Sequence, residues 1–175
     1  MDAERCLTEA EGRHLCRRQG ETSLNEEQFF KRVDGIKERL YKIAYAYLGD
    51  KDKATDAVDE SVFKGYVKRK QLREETYFET WLTRILINVC NQSLRHIKRE
   101  LPYEELPEDS QQEYDSLPLK LAIQTLPEEL RRLITLRYFG GFTIAEASQI
   151  LKIPQGTAAT RLRKALKLLR LDMEV

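Results

Sequence analysis

Residues 143–170 read TIAEASQILKIPQGTAATRLRKALKLLR, and this stretch decides the fold class. Thr143 and Glu146 have the spacing of a capping box, in which a threonine and a glutamate three residues later satisfy the free backbone groups at a helix start. Ile153 and Pro154 end that short helix, because proline cannot continue it. The pattern therefore predicts a short capped helix, a tight break and a second helix over residues 155–170.

The second helix has an apolar stripe and a polar, basic remainder. The stripe consists of Ala158, Leu162, Ala165 and Leu169. The residues largely off the stripe are Thr160, Arg161, Arg163, Lys164 and Lys167. This is the pattern of a helix-turn-helix, whose second helix enters the major groove of DNA. The alternative is a packed helix pair with a merely solvated basic face, but Glu146 is the single acid in residues 131–170, which favours DNA binding.

Charge is distributed unevenly along the 175 residues, although the net charge is only +1. Residues 84–99 contain no acid. In residues 104–129 acids dominate the charged residues, and in residues 131–170 lysine and arginine dominate them. No run of about 18 apolar residues exists, so no membrane span is predicted. Three cysteines at unrelated spacings indicate a reducing compartment without a disulfide framework, so the cytoplasm is the expected location.

The N-terminal half predicts three helices, of which the third, over residues 77–99, concentrates cations and amides. Those on faces away from its apolar stripe are Arg84, Asn88, Asn91, Gln92, Arg95 and Lys98. Side chains of this kind suit phosphates and exposed base edges. The preceding loop, residues 71–76, is suited to cradling a flipped base. Tyr77 is expected to be exposed, whereas Phe78 and Trp81 are expected in the core.

The predicted architecture is all-α, with two small helical domains on an acidic linker. Residues 1–24 are interpreted as a flexible leader and residues 25–100 as the first domain. Residues 101–117 contain Pro102, Pro107 and many acids, which is typical of a linker. Residues 118–175 form the second domain, which ends in the helix-turn-helix.

Three stretches, in this order, carry a resemblance to a known family. They are LYKIAYAYLGDKDKATDAVDESVFKGY, FETWLTRILINVCNQSLRHIKR and LPEELRRLITLRYFGGFTIAEASQILKIPQGTAATRLRKALKLLR. Together they resemble region 2 and region 4 of the sigma-70 family, and the lack of other domains resembles its extracytoplasmic-function (ECF) group. The resemblance covers about residues 27–171. It implies a three-helix region 2 bundle and a helix-turn-helix region 4.

The resemblance implies an RNA polymerase sigma factor that recognises promoters and melts their −10 element. Residues 56–63 would dock on the β′ clamp helices of core polymerase, chiefly through Asp56, Asp59, Glu60 and Phe63. The non-template −10 strand would be held by Arg73, Thr76, Tyr77, Arg84, Asn88, Arg95 and Lys98. The −35 duplex would be read by Gln155, Thr157, Thr160, Arg161, Arg163, Lys164 and Lys167. The hydrophobic surface of residues 131–139 would help bind the β flap, and the linker would thread toward the RNA exit path.

The resemblance also implies regulation by an anti-sigma factor, often membrane-anchored in this group, which would hold the protein at the inner membrane face. No catalytic residue, metal, cofactor or small-molecule substrate is expected. Two positions depart from the family pattern. Asp59 stands where the group often has glutamine, and Ala159 where it often has lysine or arginine, so Arg161, Arg163 and Lys164 would carry more of the −35 contact.

Three other interpretations are open from the residues. A stand-alone helix-turn-helix repressor would bind palindromic duplex DNA as a dimer, but the long helical N-terminal half fits it poorly. An enzyme is disfavoured because the only histidines are His14 and His96 and no glycine-rich phosphate loop exists. A zinc site at Cys6, His14 and Cys16 matches no compact ligand spacing and lacks an evident fourth ligand.

Overall fold

Helices make up almost all of the regular structure, as the sequence predicts. The computed structural model describes residues 24–72, 74–100 and 117–173, and within these ranges no strand occurs. The α-helices are α1 (Glu26–Leu48), α2 (Lys51–Lys68), α3 (Phe78–Glu100), α4 (Leu117–Thr125), α5 (Glu128–Ile134), α6 (Ile144–Leu151) and α7 (Gln155–Met173). Two 3-10 turns, Arg69–Gln71 and Glu75–Tyr77, lie in the predicted loop between α2 and α3. Most of the predicted leader and of the predicted linker lies outside the described residues. Leu24 is the exception in the leader: it is 2% exposed and belongs to the core, so its assignment to a flexible leader is wrong.

The corner between α1 and α2 is built by caps. Asn25 starts α1 by accepting the backbone N–H of Gln28 at 2.8 Å. Gly49 ends it with a left-handed φ of 76°, which a residue without a Cβ adopts at no steric cost. Asp50 then starts α2 by accepting the N–H of Lys53 at 2.9 Å. The chain therefore reverses within two residues, and α1 and α2 pack side by side.

Helices α1, α2 and α3 form the N-terminal bundle. Its largest fully buried side chains include Phe29, Leu40, Ile43, Tyr47, Leu82 and Leu86. The ring of Phe29 meets that of Phe78 edge to face, with centroids 5.5 Å apart. Gly65 lets α2 approach α3 closely, because a Cβ there would stand 2.7 Å from Cδ1 of Leu82. The three helices predicted from the sequence are present, and the three-helix bundle that the resemblance implies is confirmed.

Helices α4 to α7 form the C-terminal domain, and its last two helices are a helix-turn-helix. The predicted capping box is present, since Glu146 N–H donates to the Thr143 hydroxyl at 3.2 Å and Thr143 N–H donates to the Glu146 carboxylate at 2.8 Å. Lys152 ends α6 with a left-handed φ of 55°. Ala147 in α6 and Ala158 in α7 are both buried, so the two helices cross at close range.

The N-terminal bundle and the C-terminal domain are in direct contact. Helix α3 packs on α6, and α1 packs on α4 and on the π-helical turn Thr135–Phe139 that continues α5. Gln124 of α4 donates its side-chain N–H to the carbonyl of Leu48 at 3.4 Å. The buried apolar side chains of both parts form one continuous cluster. The sequence predicts two small domains joined by a linker, and in the structure these two parts pack directly against each other.

Candidate nucleic-acid interface

A cavity of about 330 Å³ opens beside the start of α3, and we call it the loop pocket. It is lined by Gln71, Leu72, Glu74, Tyr77, Thr80, Trp81, Arg84 and Gln149. Tyr77 is 52% exposed, as expected from the sequence. Trp81 is half-buried, because it packs on the core while also lining the pocket, and Phe78 is buried as expected. The exposed Thr76 lies between Tyr77 and Glu75 in the same turn. The aromatic rings of Tyr77 and Trp81 beside the guanidinium of Arg84 are suited to binding a base and its phosphate.

The loop that forms this pocket is attached to α1 by Arg32. Its guanidinium donates to the backbone carbonyl of Glu75 at 2.8 Å and also pairs with the Glu75 carboxylate. The same guanidinium lies 5.8 Å from the centroid of the Phe78 ring. In the first turn of α3, Glu79 pairs with Arg39 at 2.6 Å. The sequence analysis did not identify Arg32, because nothing local links it to a loop 43 residues away.

Helix α3 presents only part of its predicted polar face to solvent. Asn88 and Arg95 are exposed, as a DNA-facing role requires. Arg84 is half-buried and donates its Nε–H to the carbonyl of Ile150 at 2.8 Å, and a terminal N–H to the carbonyl of Gln149. Burial lowers the pKa of Arg84 from its ordinary value. Arg73 and the side chain of Lys98 lie outside the described residues.

The prediction that Asn91 faces DNA is wrong. Asn91 is 5% exposed, and its side-chain oxygen accepts a hydrogen bond from the hydroxyl of Tyr47. Burial raises the pKa of Tyr47 to about 12. The guanidinium of Arg131, from the C-terminal domain, lies 5.5 Å from the centroid of the Tyr47 ring. Asn91 thus belongs to a buried polar group under the contact between the two parts of the chain.

The acidic face predicted on α2 is exposed. Asp56, Asp59 and Glu60 all lie at the surface, and Glu60 pairs with Lys64 at 2.6 Å. Phe63 beside them is 68% exposed, and Val67, one turn further on, is 60% exposed. An apolar patch of this kind next to a polar rim is typical of a surface that binds another protein.

Helix α7 buries its apolar stripe and exposes a polar face. On a helix of about 3.6 residues per turn, Thr160, Lys164 and Lys167 fall opposite the buried Ala158, Leu162, Ala165 and Leu169, whereas Thr157 lies at the edge of the buried stripe and is half-buried. Gln155 and Arg163 are exposed as well. Arg161 instead points sideways and pairs with Glu129 of α5 at 2.7 Å. No local sequence pattern indicates this pair, which engages one of the residues expected to touch the −35 element.

The predicted hydrophobic surface of residues 131–139 is largely absent. Leu133, Ile134 and Leu136 are buried, so they do not form an accessible face. Arg137 and Tyr138 are the exposed positions, with Tyr138 58% exposed. An apolar stripe of this kind fits a partner's surface and the domain's own core equally well. In the structure these residues pack into the core of the domain itself.

Metal-binding groups and membrane-spanning helices are both absent from the described parts of the chain. Among those residues no group of histidine, cysteine or acidic side chains is placed to hold a metal ion, and the Cys6, His14 and Cys16 set falls outside them. None of the described helices is long and apolar enough to cross a membrane.

Comparison with known proteins gives a consistent result. Residues 33–100 match the family model for sigma-70 region 2, and residues 116–169 match that for sigma-70 region 4. The chain is 29% identical over 169 residues to the ECF RNA polymerase sigma factor SigW of Bacillus subtilis, covering 83% of this chain and 89% of the relative. It is 28% identical over 142 residues to the RNA polymerase sigma factor SigV of the same organism, covering 78% of this chain and 86% of that relative.

Solved structures show the same fold. The sigma factor RpoE of Bartonella quintana, in complex with the anti-sigma factor NepR, superposes with a TM-score of 0.72 at 24% identity, covering 85% of this chain and 98% of that one. CnrH, in complex with the cytosolic domain of CnrY, gives a TM-score of 0.66 at 15% identity, covering 86% of this chain and 90% of that one. With both regions matched in the predicted order, the chain belongs to the sigma-70 family and is an RNA polymerase sigma factor of the extracytoplasmic-function group.

Proposed function

We propose that this sigma factor binds core RNA polymerase, directs it to promoters, and stabilises the melted −10 element with region 2 while region 4 reads the −35 element. The loop pocket is the observation that supports assigning −10 strand capture to region 2 and −35 reading to region 4. Its volume of about 330 Å³ lies at the lower end of the roughly 300–1,000 Å³ of small-ligand sites, which suits a single base.

Region 2 captures the non-template strand. A base flipped from the −10 element enters the loop pocket between Tyr77 and Trp81, where stacking on aromatic rings contributes about 1–3 kcal/mol per base. This offsets the few kcal/mol that extrusion of the base costs. Arg84, Asn88 and Arg95 then hold the flanking backbone, because cations and amides bind phosphates. Arg73, Thr76 and Lys98 complete the proposed −10 site.

Region 4 binds the −35 element as duplex. The exposed face of α7 enters the major groove, with Gln155, Thr157 and Thr160 toward base edges and Arg163, Lys164 and Lys167 toward phosphates. Arg161 contributes only after it leaves Glu129. Ala159 supplies no cation, so −35 binding depends on few phosphate contacts and is weak in the absence of polymerase.

Core polymerase is bound mainly by α2. Asp56, Asp59 and Glu60 provide charge around the exposed Phe63, and this surface docks on the β′ clamp helices. In region 4 the exposed Tyr138 and Arg137 are the residues available for the β flap. Since the polymerase holds both regions at once, two weak DNA contacts act as one strong one. The protein does this without covalent chemistry, cofactor or small-molecule substrate.

An anti-sigma factor controls the protein in the cytoplasm. The two structural neighbours were solved in complex with NepR and with the cytosolic domain of CnrY, and this chain exposes the apolar side chains of Phe63 and Val67 on α2. A membrane-anchored inhibitor would hold the protein at the inner membrane face until a signal releases it. Such release would couple the state of the envelope to transcription.

Run-off transcription with purified core polymerase and a genomic promoter library tests the proposal. We expect specific transcripts that depend on the protein and on both promoter elements. No transcript from any fragment would refute a sigma-factor role. Tight duplex binding by a dimer without polymerase would favour a stand-alone helix-turn-helix regulator instead.

A further inference from the structure

We propose that Thr160 determines part of the −35 specificity, and that it selects adenine or cytosine over guanine or thymine on the strand that it contacts. The inference rests on the proposed function, because it requires the exposed face of α7 to enter the major groove. It adds the chemical class of base that one residue of that face reads.

The hydroxyl of Thr160 donates its only proton within the helix. The acceptor is the backbone carbonyl of Gly156, four residues earlier, at 2.9 Å. A threonine hydroxyl has one O–H donor and two acceptor lone pairs, so its oxygen is left with acceptor capacity alone. The same hydrogen bond selects one of the χ1 rotamers that a helical threonine can adopt. Toward DNA, Thr160 therefore presents an acceptor of fixed orientation.

Thr160 lies where a recognition helix meets base edges. It is the sixth residue of α7, which begins at Gln155, and it is exposed on the side opposite the buried stripe. In a helix-turn-helix the N-terminal residues of the second helix contact the bases. Lys164 and Lys167 follow about one and two turns later on the same side, where they suit phosphate contacts. The position of Thr160 is therefore suited to reading a base.

Gly156 leaves the helix surface beside Thr160 open. A Cβ at Gly156 would meet no side chain or other element of the described chain within 4 Å. The backbone of Gly156 is helical, without a positive φ, so neither its conformation nor packing against the described residues requires a glycine. Glycine weakens a helix, and its use at an exposed helical position is explained when another molecule approaches the backbone closely. A base edge can therefore approach Thr160 to hydrogen-bond distance.

The polar groups of the major groove are of two kinds. The N6 of adenine and the N4 of cytosine are amino groups that donate, whereas the O6 of guanine and the O4 of thymine accept. An oxygen with only lone pairs available bonds an amino group and is repelled by a carbonyl oxygen. The exposed Arg163 and Lys164 have the opposite preference, because guanidinium and ammonium groups only donate. Thr160 therefore favours bases that these cations do not.

Three substitutions separate the hydroxyl of Thr160 from its methyl group. Thr160→Val replaces the hydroxyl by a methyl group of similar size, Thr160→Ser keeps the hydroxyl, and Thr160→Ala removes both groups. Each variant, bound to core polymerase, selects duplexes from a promoter pool randomised across the −35 element, and the selected duplexes are sequenced. Binding of each variant to core polymerase is the control for folding.

We expect the wild type and Thr160→Ser to favour adenine or cytosine at one −35 position about fivefold over guanine or thymine, as one net hydrogen bond allows. Thr160→Val and Thr160→Ala should lose this preference and keep those at the other positions. An unchanged preference in Thr160→Val would overturn the inference, and so would its loss in Thr160→Ser. A wild-type preference for guanine or thymine at the position that Thr160→Val alters would show that the hydroxyl donates to DNA, and would also overturn it.

Modified bases test the same contact from the DNA side. At the selected position the duplex carries adenine, purine, which lacks the N6 amino group, or 7-deazaadenine, which lacks the N7 acceptor. We expect purine to weaken binding of the wild-type complex about fivefold and that of Thr160→Val not at all. 7-Deazaadenine should affect the two proteins equally. An equal effect of purine on both would contradict the proposed contact. If the wild-type complex selects no −35 sequence at all, the proposed function of region 4 fails, and the inference fails with it.

Discussion

Arg32 in α1 donates a hydrogen bond to the backbone carbonyl of Glu75, 43 residues later, at 2.8 Å. This bond fixes the path of the turn that carries Thr76 and Tyr77. The position of the proposed −10 site is therefore set by a helix that does not itself contribute to the pocket wall. Arg32 is a positioning residue, and its effect on DNA passes through the loop.

Arg32→Ala should weaken single-strand capture. The guanidinium side chain is 38% exposed, so we expect the loss to be near that of an exposed charged pair, about 1 kcal/mol, or about fivefold in affinity. Binding of the −10 strand by the polymerase complex measures this. Lys42→Ala is the control, because its partner Glu38 lies on α1 itself and both side chains are exposed. An equal loss in both variants would indicate a general effect on the bundle.

Arg163→Ala combined with Lys164→Ala should reduce −35 binding and its dependence on salt. Each lost phosphate contact lowers the slope of log affinity against log salt by about 0.9. Arg161→Ala should have a smaller effect, because Arg161 pairs with Glu129 at 2.7 Å. Electrophoretic mobility shifts of the polymerase complex at several salt concentrations give the slopes. Binding to core polymerase should be unchanged, and its loss would contradict the assigned role.

Phe63→Ala should weaken binding to core polymerase about tenfold without changing the melting temperature. A side chain that is 68% exposed contributes little to the fold, whereas apolar anchors dominate protein interfaces. Leu166→Ala, at a residue that is 40% exposed on α7, is the control for loss of an exposed apolar side chain. Titration against labelled core polymerase measures the affinity. A lower melting temperature in Phe63→Ala would mean that this ring stabilises the bundle.

Stability should fall at alkaline pH as Tyr47 and Cys90 ionise. Burial raises the pKa of Tyr47 from 10.0 to about 12, and that of Cys90 from 9.0 to about 12. The folded protein therefore holds these protons more tightly than the unfolded chain does. Their stabilisation is complete below pH 9 and is lost as the pH rises from there to about 12.

Tyr47→Phe should make unfolding less sensitive to this pH range. The variant should also lose about 1 kcal/mol at neutral pH, because Asn91 is left buried without its donor. Urea unfolding between pH 8 and pH 11 gives both quantities. Cys90→Ala should remove the part of the alkaline loss that begins near pH 9. An unchanged pH profile in both variants would assign the loss to other groups.

Features of the fold that depend on short spacings could be predicted from the sequence. The capping box at Thr143 and Glu146 was predicted from two residues three positions apart, and it is present. The break at Ile153 and Pro154 was predicted because proline cannot continue a helix, and both residues lie between α6 and α7. The buried stripe of α7 follows from helical periodicity alone. In each case the deciding interaction lies within one turn of the chain.

Features that depend on distant residues could not be predicted in this way. Asn91 is polar, so periodicity placed it at the surface, but its partner Tyr47 lies on another helix. Arg161 was assigned to DNA by its charge, while its partner Glu129 comes from α5. Leu133, Ile134 and Leu136 were assigned to a partner, although the domain needs them for its own core. Composition indicates that a side chain needs a partner, and only tertiary packing decides which one.

The small residues at the crossing of α6 and α7 have a mechanical consequence. Ala147 and Ala158 are almost completely buried, so the two helices touch along their backbones and cannot tilt independently. Any displacement that moves the end of α6 away from Arg84 must move α7 with it as one rigid unit. Separation of the two parts of the chain would therefore reorient the helix that we propose reads duplex DNA.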